Sequence, residues 1–248
     1  MRSVSPSSPR LVWHGRDGRI ELSGRVFDNW VAKSSNLLVD ELDATDATKV
    51  AVDLPVHWKT LALVFACWQV GAVVVLPDAV APADAAHEPA AGGGLEDDAD
   101  VVLSAHNVPR VKPPRQLVCV ALASLALRWD GQLPPGAVDF AAEVRSHGDV
   151  YFGVADDPDD TPLVRTGGTT LTAAQLGESA ALPMDPDTAA TDAAPTLLVG
   201  PEVGLLRVLA AALDVWQRDG ALVLVEEGVP ITDRLLAGER VTGRLGTV

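Results

Sequence analysis

Lysine is scarce in this sequence. The 248 residues contain four, Lys33, Lys49, Lys59 and Lys112, and none follows residue 112. Arginine dominates the basic set, as a GC-rich genome would favour. No Gly-Lys pair occurs, which excludes the GxxxxGK[ST] phosphate loop and its phosphate-binding lysine. Cysteine is scarcer still. Cys67 and Cys119 lie in apolar runs without a CxxC spacing, and both read as buried small hydrophobes in a reduced compartment. The five histidines, His14, His57, His87, His106 and His147, show neither HxxxH nor HExxH spacing. Each reads as a surface or capping residue rather than a metal ligand. A GxSxG elbow is missing too, because Gly177-Glu-Ser179-Ala-Ala181 lacks the final glycine. The longest apolar stretch, Leu61 to Leu76, is broken by Gln69 and Gly71 and is too short for an ordinary membrane span. The opening MRSVSPSSPR lacks the apolar core of a signal peptide. A cytoplasmic setting is expected.

Acidic charge is plentiful, but unevenly placed. Residues 1–76 hold eight basic and eight acidic side chains, and the other 172 hold 11 and 26, which gives the net −15. That field repels phosphodiester backbones and anionic lipid, so neither nucleic acid nor a membrane surface is an expected partner. Blocks such as Leu95-Glu-Asp-Asp-Ala-Asp100 read as solvated segments. With 48% hydrophobic residues the chain can bury a substantial core.

Two βαβ units organise the sequence. Leu11 to Leu22 reads as a hairpin turning at Asp17-Gly18, and Ser23 is placed to cap the amphipathic helix that follows. Its apolar face carries Val26, Phe27, Trp30, Val31, Leu37, Leu38 and Leu42. The first unit is a strand at 49–54, an apolar helix from Trp58 to Val70 stopped by Gly71, and a β-branched strand at 72–76. The second is a strand at 195–199, a helix from Val203 to Gln217 turned by Asp219-Gly220, and a strand at 221–225. A last helix is expected at 231–237. Trp30, Trp68 and Trp216 all fall on apolar helical faces and read as core. The expected fold class is α/β, with layered βαβ units and mostly parallel sheets. We expect a first subdomain over 1–150 and a second over 151–248.

The middle is less regular. Residues 77–99 read as a flexible loop, and Gly92-Gly-Gly94 does not extend to GxGxxG because Asp97 takes the last position. Strands are expected at 101–103, 117–120 and 151–154, and a helix at 137–146. Arg145, His147 and Asp149 read as a helix terminus. Asp156-Asp-Pro-Asp-Asp160 lacks the alternation and closing Glu of a calcium loop, so it reads as a solvated turn. The stretch from Val164, VRTGGTTLTAAQL, reads as a strand, a Gly- and Thr-rich turn and a helix start.

The order Arg19-Ile-Glu-Leu-Ser23, helix, Lys49-Val-Ala-Val-Asp-Leu-Pro55, then Phe65 to Asp78 with its Gln-Val-Gly-Ala-Val-Val-Val-Leu-Pro run resembles the start of acyl-adenylate-forming enzymes. In that AMP-binding synthetase and ligase family the corresponding motifs read LTYxEL, DRVAxxLPNxxE and KAGAVxVPLxP. Leu205 to Val225 and on to Arg240-Val-Thr242 resembles a later family stretch. The resemblance implies the N-terminal subdomains of that fold. It also implies that Thr166, Gly167, Gly168, Thr169 and Thr170 correspond to the first part of the family's TSGTTGxPKG phosphate loop, with Leu171 to Leu176 as the helix start.

The departures decide the expected function. The GxPKG half of that loop is missing, and with it the lysine that meets the β- and γ-phosphates. Neither the family's TGD element nor its C-terminal lysine-bearing domain is present. Adenylation develops charge at the α-phosphate and needs preorganised cations. The expectation is therefore a truncated, degenerate homologue of AMP-binding acyl-CoA synthetases without catalysis or metal. Residues 166–170 then either form a Gly-Thr turn capping a helix at Thr169 or Thr170, or bind ATP or AMP weakly as a remnant. A protein-interaction or scaffold module is the alternative, with a homodimer or another protein covering apolar surface.

Overall fold

The computed structural model describes residues 6–77, 99–106, 115–153, 161–178 and 194–246. The chain divides into two compact units, each discontinuous in sequence: Met1–Val31, Pro55–Ala62 and Ala174–Val248 form one, Ala32–Leu54 and Leu63–Ala173 the other. The division expected at residue 150 coincides with neither. The opening hairpin joins strands from the far end of the chain, because a parallel β pair can draw on residues distant in sequence.

The first unit is built on a five-stranded sheet. β1 (Pro9–Gly15) and β2 (Gly18–Ser23) form the expected hairpin, but the residues between them are Arg16 and Asp17 rather than Asp17 and Gly18; Gly18, at φ 133°, is the first strand residue and pairs with Gly15. Ser23 Oγ accepts from the Val26 amide at 3.4 Å, capping α1 (Gly24–Leu42) as anticipated. β10 (Thr196–Val199) and β11 (Ala221–Val225) pair in parallel, and β1 lies parallel to β11 with Leu11 opposite Leu222. The helix between them, Leu205–Gln217, ends in a Schellman motif. There the Gly220 amide donates to Val215 O and the Asp219 amide to Trp216 O. Asp219, not Gly220, takes the left-handed φ of 54°. Gly220 is needed for space, since a Cβ there would lie 2.3 Å from Pro195 O.

One face of this sheet buries Val12, Leu198, Val223 and Val225 beneath Leu235 and Leu236 of a short helix, Asp233–Gly238, close to the expected last helix. Phe27 packs on Trp216 with ring centroids 4.9 Å apart, and Trp216 Nε1 donates to Arg10 O. A three-residue strand, β12 (Gly243–Leu245), adds to β10 in parallel and was not anticipated. Three residues are too few to show alternation.

The second unit holds a seven-stranded sheet in the order β7 (Val138–Asp139), β6 (Gln116–Cys119), β5 (Val101–Ser104), β3 (Lys49–Asp53), β4 (Val73–Val75), β8 (Pro162–Thr166) and β9 (Thr169–Thr172). β3 (Lys49–Asp53), α2 (Trp58–Gln69) and β4 (Val73–Val75) make the expected βαβ unit. Gly71, at φ 85°, closes α2 through bonds from the Gly71 amide to Trp68 O and from the Ala72 amide to Cys67 O. β5 (Val101–Ser104) and β6 (Gln116–Cys119) follow, both parallel. Val50, Ala51 and Val52 are almost fully buried, as a strand covered on both faces requires.

Two expectations fail here. The helix expected over 137–146 begins instead as a strand, β7 (Val138–Asp139), because these residues pair with β6. Asp139 then caps a single turn, α3 (Phe140–Glu143), by accepting from the Ala141 and Ala142 amides. A 3₁₀ turn at Val144–Ser146 completes it. The strand expected at 151–154 is absent among the described residues 151–153. Asn36 holds the preceding segment instead, donating to Gly148 O and Val150 O. The calls on the 77–99 loop and on Asp156–Asp160 lie outside the described residues, apart from Pro77 and Ala99. Among the described residues, no helix is long and apolar enough to cross a membrane.

Candidate functional site

The stretch that resembled a phosphate loop is a tight β-hairpin. β8 (Pro162–Thr166) and β9 (Thr169–Thr172) are antiparallel, with Arg165 opposite Thr170 and Thr166 opposite Thr169. Only Gly167 and Gly168 lie between them, at φ 55° and 74°. Two successive left-handed residues define a type I′ turn, the connection whose twist matches the flanking strands. A Cβ on Gly168 would meet nothing within 4 Å. Its glycine is therefore needed for backbone conformation rather than for the approach of another group. Thr166 Oγ1 donates to Pro77 O at 3.1 Å, and the Leu76 amide donates to Arg165 O, which ties β8 to the end of β4.

Thr169 and Thr170 accordingly cap no helix, because they are strand residues. The helix begins at Ala173 and has six residues. The four residues of β9 place its N-terminus roughly 13 Å along the strand from the turn. Amides of the turn and the dipole of the helix cannot converge on one anion at that separation. Pairing of Thr166 with Thr169 won over the loop-to-helix reading because a Gly-Gly dipeptide between β-branched runs satisfies the hairpin rule directly.

The histidines are scattered among separate partners. His57 is buried, not a surface residue, yet it does cap: its Nδ1 accepts from the Lys59 amide at the start of α2. Its ring meets Trp13 edge-on with centroids 4.5 Å apart and lies 5.7 Å from Trp58. Burial, then the nearby Lys59 charge, lowers its pKa to about 3 against a weaker opposing pull from Asp17. It is a neutral core histidine. His14 Nε2 meets Glu239 Oε1 at 2.8 Å, and Arg19 grips the same carboxylate at 2.7 and 3.0 Å. The Arg19 bond, against some burial and with help from His14, holds Glu239 below the usual carboxylate range. Arg145, His147 and Asp149 do not act together. They reach Ala126 O, Asp40 and Lys33 respectively. Cys67 is fully buried and its thiol is pushed up to about 12. Among the described residues, no group of three His, Cys, Asp or Glu side chains could hold a metal.

Sequence reasoning missed one polar pair. At the C-terminal ends of β3 and β5, Asp53 faces Ser104 in register, and Ser104 Oγ donates to Asp53 Oδ2 at 2.8 Å. The His106 amide donates back to Ser104 Oγ at 3.1 Å. Ser104 is fully buried and Asp53 is exposed. No motif marks two residues 51 positions apart, so only the strand order could have brought them together.

No family model matches the chain. A curated protein of Mycobacterium tuberculosis, named only for its protein family, is 36% identical over 151 residues, which span 60% of this chain and 58% of that protein. Among solved structures, the acyl-CoA synthetase of Brucella canis superposes with a TM-score of 0.67 at 16% identity, covering 97% of this chain and 45% of that one. The N-terminal domain of FACL13 from Mycobacterium tuberculosis gives 0.56 at 15% identity, covering 96% and 58%. The chain thus spans between 45% and 58% of the length of these three proteins. At these identities the likeness is one of fold. The chain has the α/β fold of the N-terminal part of acyl-adenylate-forming enzymes.

Proposed function

We infer that residues 1–248 use the adenylate-forming scaffold for binding, without adenylating a substrate. One observation carries this reading. Where the family loop contains GxPKG, this chain has a two-residue type I′ turn whose flanking threonines pair with each other. The turn has no lysine, and the following helix starts too far along to contribute its dipole. A triphosphate held at the turn would meet threonine hydroxyls and turn amides, beside Arg165 of β8 and without a lysine. Contact of ATP or AMP with Thr166–Thr170 is therefore weak, at the millimolar level or beyond. The burial of both cysteines accords with a cytoplasmic setting.

A pyrophosphate-release assay with fatty acids, ATP and CoA tests this reading, and no turnover above background is expected. Turnover that disappears in a Thr169→Val variant would overturn it. The interaction-module alternative has its own observation: Leu125, Leu127, Val150 and Phe152, all in the second unit, are large, apolar and exposed. Light scattering at rising concentration tests it. Self-association that Phe152→Ser reduces would favour that alternative, and a clean monomer would remove the homodimer from it.

A further inference from the structure

The C-terminal half of α1 and the segment from His147 to Phe152 both belong to the second unit, and one is strapped to the other. Lys33 Nζ donates to His147 O and pairs with Asp149 Oδ1, each at 2.6 Å. One turn on, Asn36 Nδ2 donates to both Gly148 O and Val150 O at 3.0 Å. A further turn on, Asp40 Oδ2 stands 3.3 Å from His147 Nδ1, and Glu41 Oε1 stands 4.0 Å from Nε2. Residues 33, 36 and 40 recur at helical spacing, so one face of α1 fixes a segment that has no helix or strand of its own. Tyr151 folds its ring against Gly153, where an added Cβ would lie 2.3 Å from the phenol oxygen. The chain is therefore held on both sides of Phe152.

The side chains this strap presents are apolar. Phe152 is 89% exposed, and Val150 is more than half exposed. A large aromatic side chain on a tethered backbone is a preorganised anchor, because docking it orders little more of the chain. The rim is acidic. Asp40, Glu41 and Asp149 are each about half exposed. Lys33 is engaged by the strap, and Arg145 by Ala126 O. Beyond Gly153 the sequence adds four aspartates and no basic residue before Thr161.

That charge selects the occupant. In a twofold dimer the same patch meets itself, so these carboxylates would face like charges in a chain already at −15. Anionic lipid is repelled for the same reason. We propose that this face of the second unit docks a basic, apolar segment of another protein. Phe152 and Val150 are its apolar anchors, and Asp40, Glu41 and Asp149 meet lysine or arginine of the partner. The assignment deepens the interaction-module alternative and rests on it.

A random peptide library displayed on phage and selected on the full chain supplies the probe, and the enriched peptide is then titrated by fluorescence anisotropy. The enriched sequences carry an aromatic or aliphatic residue flanked by lysine or arginine, and their affinity falls as salt rises. Phe152→Ser, at an exposed position, leaves the fold intact by circular dichroism and lowers affinity at least about tenfold. The combined Asp40→Asn, Glu41→Gln, Asp149→Asn variant keeps oxygens for Lys33 and His147. It lowers affinity several-fold and flattens the salt dependence. Enriched peptides without basic residues, or affinity unchanged in Phe152→Ser, would overturn this surface and leave the interaction reading standing. Self-association lost in Phe152→Ser would give the face to a second copy and overturn the proposal. No enrichment would overturn it as well, and a clean monomer beside that result would remove the interaction reading too.

Discussion

The described residues contain two hairpins with two-residue connections, and their turns are held in opposite ways. The β1–β2 hairpin turns at Arg16-Asp17 and is fastened from outside. Arg16 donates to Glu227 O through Nε and Nη2, its amide reaches Glu226, and Arg19 and His14 share Glu239. Trp13 lies beneath it against His57. In the β8–β9 hairpin the outside contacts reach β8, which pairs with β4, while the turn is shaped by its own backbone, through two glycines in left-handed conformation and mutual strand pairing. A glycine at positive φ serves both. In the first it relieves a turn that tertiary contacts already fix, and in the second it is the turn. Glycine and threonine in a loop therefore say nothing about phosphate until their neighbours are placed.

The two hairpins should fail separately. The largest effect is expected from acid. His57 has a folded pKa of about 3 against an ordinary 6.5, so the unfolded chain takes up the proton first. Stability is full above pH 6.5 and is lost as pH falls through that window, by roughly 3 kcal/mol at pH 4. Hydrogen exchange at pH 4 should show β1–β2 losing more protection than β8–β9, and His57→Gln should flatten the pH dependence. Equal loss in both hairpins would erase the distinction drawn between them.

Next in size is Gly168→Val, which forces a β-branched residue to φ 74° at a cost of about 1–2 kcal/mol. The loss should appear in β8–β9 exchange and leave β1–β2 untouched. Glu239→Gln weakens the grip of Arg19 and His14 and should cost about 1 kcal/mol, discounted because Arg19 is partly exposed. That loss should fall on β1–β2. The smallest effect is Thr166→Val, which removes the bond to Pro77 O for about 0.5 kcal/mol. Chemical denaturation measures all three.

Much of the fold was legible because it rests on local chemistry. The βαβ units at 49–76 and 195–225 announced themselves through β-branched runs, an apolar helix and a turn dipeptide at the right spacing. Ser23 and Gly71 performed the roles their chemistry suggests. What stayed hidden depends on residues distant in sequence. β1 lies beside β11, about 200 positions away, and no local pattern encodes that pairing. Val138-Asp139 looks helical until β6 offers it a ladder. The hairpin at 162–172 was missed for a different reason. Its Gly-Gly turn was readable, but the resemblance to a phosphate loop outweighed the plain hairpin rule. The Asp53–Ser104 pair needed the strand order itself.

On the function proposed above, the β8–β9 turn holds no triphosphate tightly. Titrating the full chain with ATP and magnesium while following the Gly167 and Gly168 amide resonances tests it most directly. The account predicts that these amides do not shift at ATP concentrations that saturate adenylating enzymes of this fold. Saturable shifts at both glycines, with pyrophosphate released on adding a fatty acid, would contradict it.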